Sequence, residues 1–132
     1  VNIVFDSYAV LSYLQGESGM TRVQSVLEEA DSGQTQVYLS LINLGEIAYI
    51  IERSRGIEAA QKTLSALRQM PLEIIPVTEK QVLAAAHIKA RYPLSYADAF
   101  VVATAQALNA VLLTGDPEFI VVEQLVSVEM LL

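Results

Sequence analysis

The stretch Asn2-Ile3-Val4-Phe5-Asp6-Ser7-Tyr8-Ala9-Val10-Leu11-Ser12-Tyr13-Leu14 decides the fold class. Asn2 to Phe5 is a short apolar run that ends on a carboxylate, which suits a buried strand with Asp6 at its polar end. Ser7 to Leu14 then reads as a short helix, with Gly16 beyond it. A strand that runs straight into a helix is the first half of a βα unit. Whether the chain repeats that alternation settles the architecture.

It does repeat it. Thr21 to Ala30 carries Val23, Val26, Leu27 and Ala30 on one helical face, and Asp31-Ser32-Gly33 ends it in a turn. Gln36 to Ser40 is a second strand, followed by helices over Ile42 to Arg53 and Ile57 to Met70, the latter closed by Pro71. Leu72 to Val77 is a third strand in which Pro76 marks an edge or a strand end. Thr78 and Gln81 have the spacing of a capping box and open a helix through about Arg91. Ser95 to Asn109 is the most apolar helix, Val111 to Thr114 a fourth strand, and Val126 to Val128 a short fifth. Strands alternating with helices predict an α/β chain whose central, mainly parallel sheet of four to five strands is covered on both faces. Residues 1–132 are read as a single domain without internal repeats.

Composition narrows the chemistry. The chain has no cysteine, which excludes disulfides, zinc ribbons and thiol nucleophiles, and its one histidine, His87, excludes a catalytic histidine pair. No apolar run approaches the roughly 18 residues of a membrane span, and no secretory signal is visible, so a cytoplasmic protein without membrane contact is expected. Hydrophobic residues make up 53%, an excess that points to a subunit or partner interface as well as a core. The formal charge of -7 opposes general nucleic-acid binding, which draws on Lys and Arg.

Ligands of open parallel sheets bind beyond the carboxyl ends of the strands, which singles out four acids. Asp6 closes the first strand and Asp116 follows the fourth in Leu112-Leu113-Thr114-Gly115-Asp116. Glu46 lies one turn inside a helix in Asn43-Leu44-Gly45-Glu46, and Asp98 lies in the first turn of another in Ser95-Tyr96-Ala97-Asp98-Ala99. Asp6 and Asp116 are equally good helix caps, and Ser95 with Asp98 has almost capping-box spacing. Glu46 has apolar neighbours and no Lys or Arg within four residues, so it needs a partner. Without a cation, each carboxylate pair about 4 Å apart costs roughly 4 kcal/mol at an effective dielectric of 20. An all-oxygen site with no thiolate selects a hard ion, Mg²⁺ or Mn²⁺, and such a site suits phosphodiester hydrolysis. Leaving the four acids out moves the balance from -7 to -3, a mildly acidic remainder.

The segments Val4-Phe5-Asp6-Ser7-Tyr8-Ala9, Asn43-Leu44-Gly45-Glu46, Ser95-Tyr96-Ala97-Asp98-Ala99 and Leu113-Thr114-Gly115-Asp116, in that order, resemble a PIN domain, and most of all VapC-type toxins. The resemblance implies a three-layer α/β/α sandwich and Mg²⁺- or Mn²⁺-dependent cleavage of RNA. It also implies homodimerisation and inhibition by a cognate VapB-type antitoxin. The metal-binding, catalytic acids would be Asp6, Glu46, Asp98 and Asp116, with Asn43, Thr114 and Ser7 as supporting polar groups. The alternative is a PIN-like scaffold that binds RNA or a protein partner without cutting. An aspartyl-phosphate phosphatase is disfavoured, because Tyr8 stands where a second Asp would be needed.

Four basic residues, Arg53, Arg55, Lys89 and Arg91, are candidates for phosphate contact, against the plainer role of solvated helix-end charges. Tyr8, Tyr49 and Tyr96 are expected in the core, with base stacking as the alternative. His87 is expected to pack between helices or lie on the surface, and Gly45 and Gly115 to allow close backbone approach.

Overall fold

The computed structural model describes residues 1–131. Five strands form one sheet in the order β3-β2-β1-β4-β5, and every neighbouring pair is parallel. The strands are β1 (Asn2–Phe5), β2 (Gln36–Ser40), β3 (Glu73–Ile75), β4 (Val111–Thr114) and β5 (Val128–Met130). The helices are α1 (Ser7–Leu14), α2 (Met20–Asp31), α3 (Leu41–Arg55), α4 (Ile57–Gln69), α5 (Glu79–Arg91) and α6 (Tyr96–Leu108), with a 3₁₀ segment over Pro117–Val122. No helix of the described residues is long and apolar enough to cross a membrane.

Side chains of a strand alternate between the two sheet faces, and here the alternation divides the core in two. Ile3, Phe5, Val37, Leu39 and Leu113 pack on one face with residues of α1, α2, α3 and α4. Val4 and Leu112 pack on the other with α5, α6 and Phe119 of the 3₁₀ segment. β1 and Leu112-Leu113 are buried on both sides, which is why they read as unbroken apolar runs. The architecture is therefore a three-layer α/β/α sandwich, with the mainly parallel sheet entirely parallel.

The strand order places the switch. After β1 the chain builds outward through β2 and β3, then returns by α5 and α6 to add β4 on the other flank of β1. The carboxyl ends of β1 and β4 thus flank the point where connections diverge, the usual position of a ligand crevice.

Two strands differ in extent from expectation. β5 runs over Val128–Met130 rather than Val126–Val128. The Val126 amide still bonds to the Val122 carbonyl in the turn below, and pairing with β4 begins only where Ser127 accepts from the Leu112 amide. β3 stops at Ile75, because Pro76 has no N–H to continue the ladder, and β3 is the sheet edge. The three tyrosines also depart from the core role expected of them. Tyr8, Tyr49 and Tyr96 are 47%, 48% and 45% exposed. His87 is exposed on α5.

Candidate metal centre

Asp6 lies where β1 becomes α1, and its carboxylate has two fixed neighbours. Oδ1 accepts the Ala9 amide at 2.8 Å, the N-cap bond of α1, and Oδ2 accepts the Thr114 hydroxyl at 2.5 Å. Thr114, the last residue of β4, accepts in turn from the Asp116 amide at 2.9 Å. Asp116 caps the 3₁₀ segment through the Glu118 amide. One hydroxyl therefore ties the ends of two adjacent strands together, and capping and site-building are the same act for both aspartates.

Glu46 finds the partner its apolar helix required. It is half-buried and accepts from the Ser7 hydroxyl and from the Asn43 amide, the latter at 3.3 Å. Asn43 is wholly buried, also donates to Ser7 Oγ at 3.2 Å, and its Oδ1 has no hydrogen-bond partner. Asp98 sits in the first turn of α6, whose N-cap Ser95 accepts the Asp98 amide.

Asp6, Glu46, Asp98 and Asp116 line one open cleft of about 230 Å³ together with Ser7, Tyr8, Leu11, Ile50 and Ser95. No Lys or Arg is on its wall. The electrostatic consequence is visible in the acids themselves. Burial pushes the Asp6 carboxyl up to about 7; the bonds from Thr114 and Ala9 oppose this, and the charges of Asp98 and Asp116 add to it. Asp98 is pushed up to about 6, first by burial and then by Glu46, Asp116 and Glu118.

Glu118 is the residue sequence reasoning missed. Asp98, Asp116 and Glu118 each offer an oxygen within 4.8 Å of the others, the spacing needed to share an ion. At that separation each bare pair repels by about 3 kcal/mol at an effective dielectric of 20, less where water reaches exposed Glu118. Its signal was the Asp116-Pro117-Glu118 sequence: a cap, a first-turn proline and an acid in that turn. That pattern reads first as complementing a helix N-terminus.

The donor set fits a hard divalent cation. It is all oxygen and uncompensated by any side-chain cation, and buried Asn43, whose own Oδ1 is orphaned, backs it through Glu46. The four basic candidates lie elsewhere. Arg53 and Arg55 are in the last turn of α3, Lys89 and Arg91 in the last turn of α5, all exposed and none on the cleft wall. The Arg53 guanidinium stacks over Tyr49 at 5.0 Å. Gly45 is exposed with open space where a Cβ would stand, so close approach is not its reason. Gly115 is different: a Cβ there would meet Tyr8 Cε1 at 2.1 Å.

The family model for the PIN domain matches residues 3–125. No curated protein matches the chain. Among solved structures, the chain is similar to VapBC2 from Rickettsia felis bound to a DNA fragment from their promoter, at 18% identity and a TM-score of 0.78, covering 98% of each chain. It is similar to VapC20 from Mycobacterium tuberculosis, a sarcin-ricin loop cleaving toxin, at 18% identity and a TM-score of 0.73, covering 90% of this chain and 93% of that one. A toxin-antitoxin complex from Klebsiella pneumoniae matches at 20% identity and a TM-score of 0.64, covering 89% of each. At such identities the likeness is one of fold.

Proposed function

The chain belongs to the PIN domain family, and from that premise we propose that it is a Mg²⁺- or Mn²⁺-dependent endoribonuclease, the toxin of a type II toxin–antitoxin pair. The observation that carries the reading is the gathering of Asp6, Glu46, Asp98 and Asp116 on one cleft without a side-chain cation. The fold shared with a sarcin-ricin loop cleaving toxin supports RNA as the substrate. The fold shared with a VapBC assembly and a toxin-antitoxin complex supports a VapB-type antitoxin as partner. The match over residues 3–125 supports reading 1–132 as one PIN-like domain, and the cytoplasm is the compartment this reading assigns to it. The 53% share of hydrophobic residues supports a homodimer or antitoxin interface.

Asp6, Glu46, Asp98 and Asp116, with Glu118 beside them, would hold the ion. Bound there, it would lower the pKa of water and offset charge on a phosphoryl oxygen. The protein's own groups do the positioning. Thr114 locks Asp6 to the Asp116 backbone, and Ser7 with Asn43 fixes the Glu46 carboxylate against α1. Asp98 and Asp116, both less buried than Asp6, are the groups of the cleft that would hold the attacking water and accept its proton. Arg53, Arg55, Lys89 and Arg91 are the candidates for outlying phosphates.

With a lone histidine, the route through the 2′-hydroxyl is closed to a histidine pair, so water attack leaves 5′-phosphate and 3′-hydroxyl ends. The test is cleavage of single-stranded RNA with Mg²⁺ or Mn²⁺, with and without EDTA, followed by sequencing of the new ends. Metal-dependent cutting with 5′-phosphate ends is expected. Cyclic-phosphate ends overturn the mechanism, and RNA binding without cutting establishes a non-catalytic PIN-like scaffold instead.

A further inference from the structure

An acidic chain that binds RNA faces a shortage of Coulombic attraction. Its formal charge is -7, and the cleft wall carries acids without a Lys or Arg. Counterion release, the usual source of affinity for a phosphate backbone, is therefore weak. Beside the scissile bond, a contact that does not depend on charge would supply part of the missing affinity. Stacking of a nucleobase on an aromatic ring is such a contact, and it is indifferent to sequence because every base has a π-face.

Three half-exposed tyrosines are available, and their surroundings separate them. The Arg53 guanidinium covers Tyr49 at 5.0 Å, and Tyr96 leans on Phe100 with ring centroids 5.2 Å apart. Tyr8 alone of the three lines the acidic cleft, two residues from Asp6. Its ring edge occupies the space that a side chain at position 115 would fill: a Cβ on Gly115 would stand 2.1, 2.6 and 2.8 Å from Cε1, Cδ1 and Cζ. The ring is thus seated on backbone between Thr114 and Asp116, with 47% of the residue still open. Gly115 does not have a positive φ, so backbone conformation does not explain the glycine; room for the ring does.

The geometry points to Tyr8 as a base-stacking residue of the substrate cleft, holding a nucleobase of single-stranded RNA beside the scissile phosphodiester, with Gly115 as its seat. The assignment rests on the ribonuclease reading above. Tyr8 is a substrate-binding group and Gly115 a positioning residue that acts through it. A ring held in one place loses little freedom on binding, so the stacking contact keeps most of its value.

The chain has no tryptophan, so Tyr8→Trp introduces the only indole. In an Asp98→Asn background that does not cut, indole emission is titrated with a single-stranded RNA oligonucleotide and with a base-free sugar-phosphate strand of equal length. Quenching by the RNA alone is expected; quenching by both strands or by neither overturns the proposal. In the cutting enzyme, Tyr8→Ala is expected to raise the KM for RNA about 10-fold, the lower part of the range for one stacked base, with a smaller change in kcat. Tyr8→Phe, which keeps the ring, restores KM. Gly115→Ala raises KM in the parent but adds nothing in the Tyr8→Ala background, a non-additivity that independent structural damage does not produce. An unmoved KM in Tyr8→Ala sinks the stacking role, also when that variant loses affinity for an antitoxin, which would make Tyr8 a protein contact. Absence of cleavage by the parent chain sinks the ribonuclease reading instead, and the indole titration still decides the stacking.

Discussion

Where α2 meets β5, Glu29 and Glu129 share Arg22, whose Nε lies 2.6 Å from one Glu129 oxygen and whose Nη1 lies 3.6 Å from Glu29. Beyond the ends of β1 and β4, Asp6, Glu46, Asp98 and Asp116 converge with no Arg or Lys on the cleft wall. Both places bring carboxylates together, but only the first supplies its own cation. The Arg22 group is closed: one guanidinium contacts both carboxylates within the fold, and partial exposure leaves each pair worth at most about 1 kcal/mol. The cleft is open: hydroxyls and amides orient its acids, while the balancing charge must come from outside. Acidic residues become a candidate site when the chain withholds the counter-charge, rather than when they are merely numerous.

That contrast can be broken most decisively at Asp98. Asp98→Asn keeps the shape and removes a charge, and RNA cleavage is expected to fall about 100-fold or more with the circular dichroism spectrum unchanged. Undiminished cleavage would mean the residue is only part of a helix start.

The next largest effect is on stability. In the fold Asp6 titrates near 7, against 3.8 for the free side chain, so between those values the folded chain holds a proton that the unfolded chain has released. Stability of the metal-free protein therefore decreases as pH rises from about 4 to 7, by something on the order of 4 kcal/mol from Asp6, with Asp98 adding in the same direction up to about 6. Thermal melts at pH 5 and pH 8 should show the loss, and Asp6→Asn or saturating Mn²⁺ should remove most of it. Arg22 has no such slope in this range, so a slope that is undiminished in Asp6→Asn would place its origin elsewhere.

Glu118 gives a smaller signal. Glu118→Gln is expected to weaken Mn²⁺ binding to the metal-free protein about 10-fold by calorimetry, the effect typical of a residue supporting a metal site. Unchanged affinity would return Glu118 to the role of a first-turn acid. Arg22→Ala sharpens the comparison from the other side: a loss of less than about 1 kcal/mol in urea unfolding, with Mn²⁺ affinity and cleavage untouched.

Much of the fold was legible because the signals were local. The bounds of α1, β2 and β4 were readable to the residue, since an apolar run and a polar stop lie side by side at Phe5-Asp6, Leu39-Ser40 and Leu113-Thr114. β5 was misread by two residues because Val126 is apolar and buried yet still bonded into the preceding turn. The tyrosines were misread because an aromatic ring on a helix is equally suited to a core and to a half-exposed surface. Glu118 was overlooked because a first-turn acid has a sufficient local explanation.

From its residues alone this chain determined the βα alternation and the caps at Asp6, Thr78 and Ser95, since each depends on neighbours a few positions away, and composition alone removed thiol and paired-histidine chemistry. Only the tertiary structure decided that Thr114 would donate to an aspartate 108 positions earlier, that Glu118 would face Asp98, and that Gly115 would make room for Tyr8. Those meetings follow from the insertion of β4 beside β1 rather than at the sheet edge. Strand order is set by how two separate cores pack against one sheet, and burial energy of that kind is a sum over the whole chain, with no single segment in which to read it.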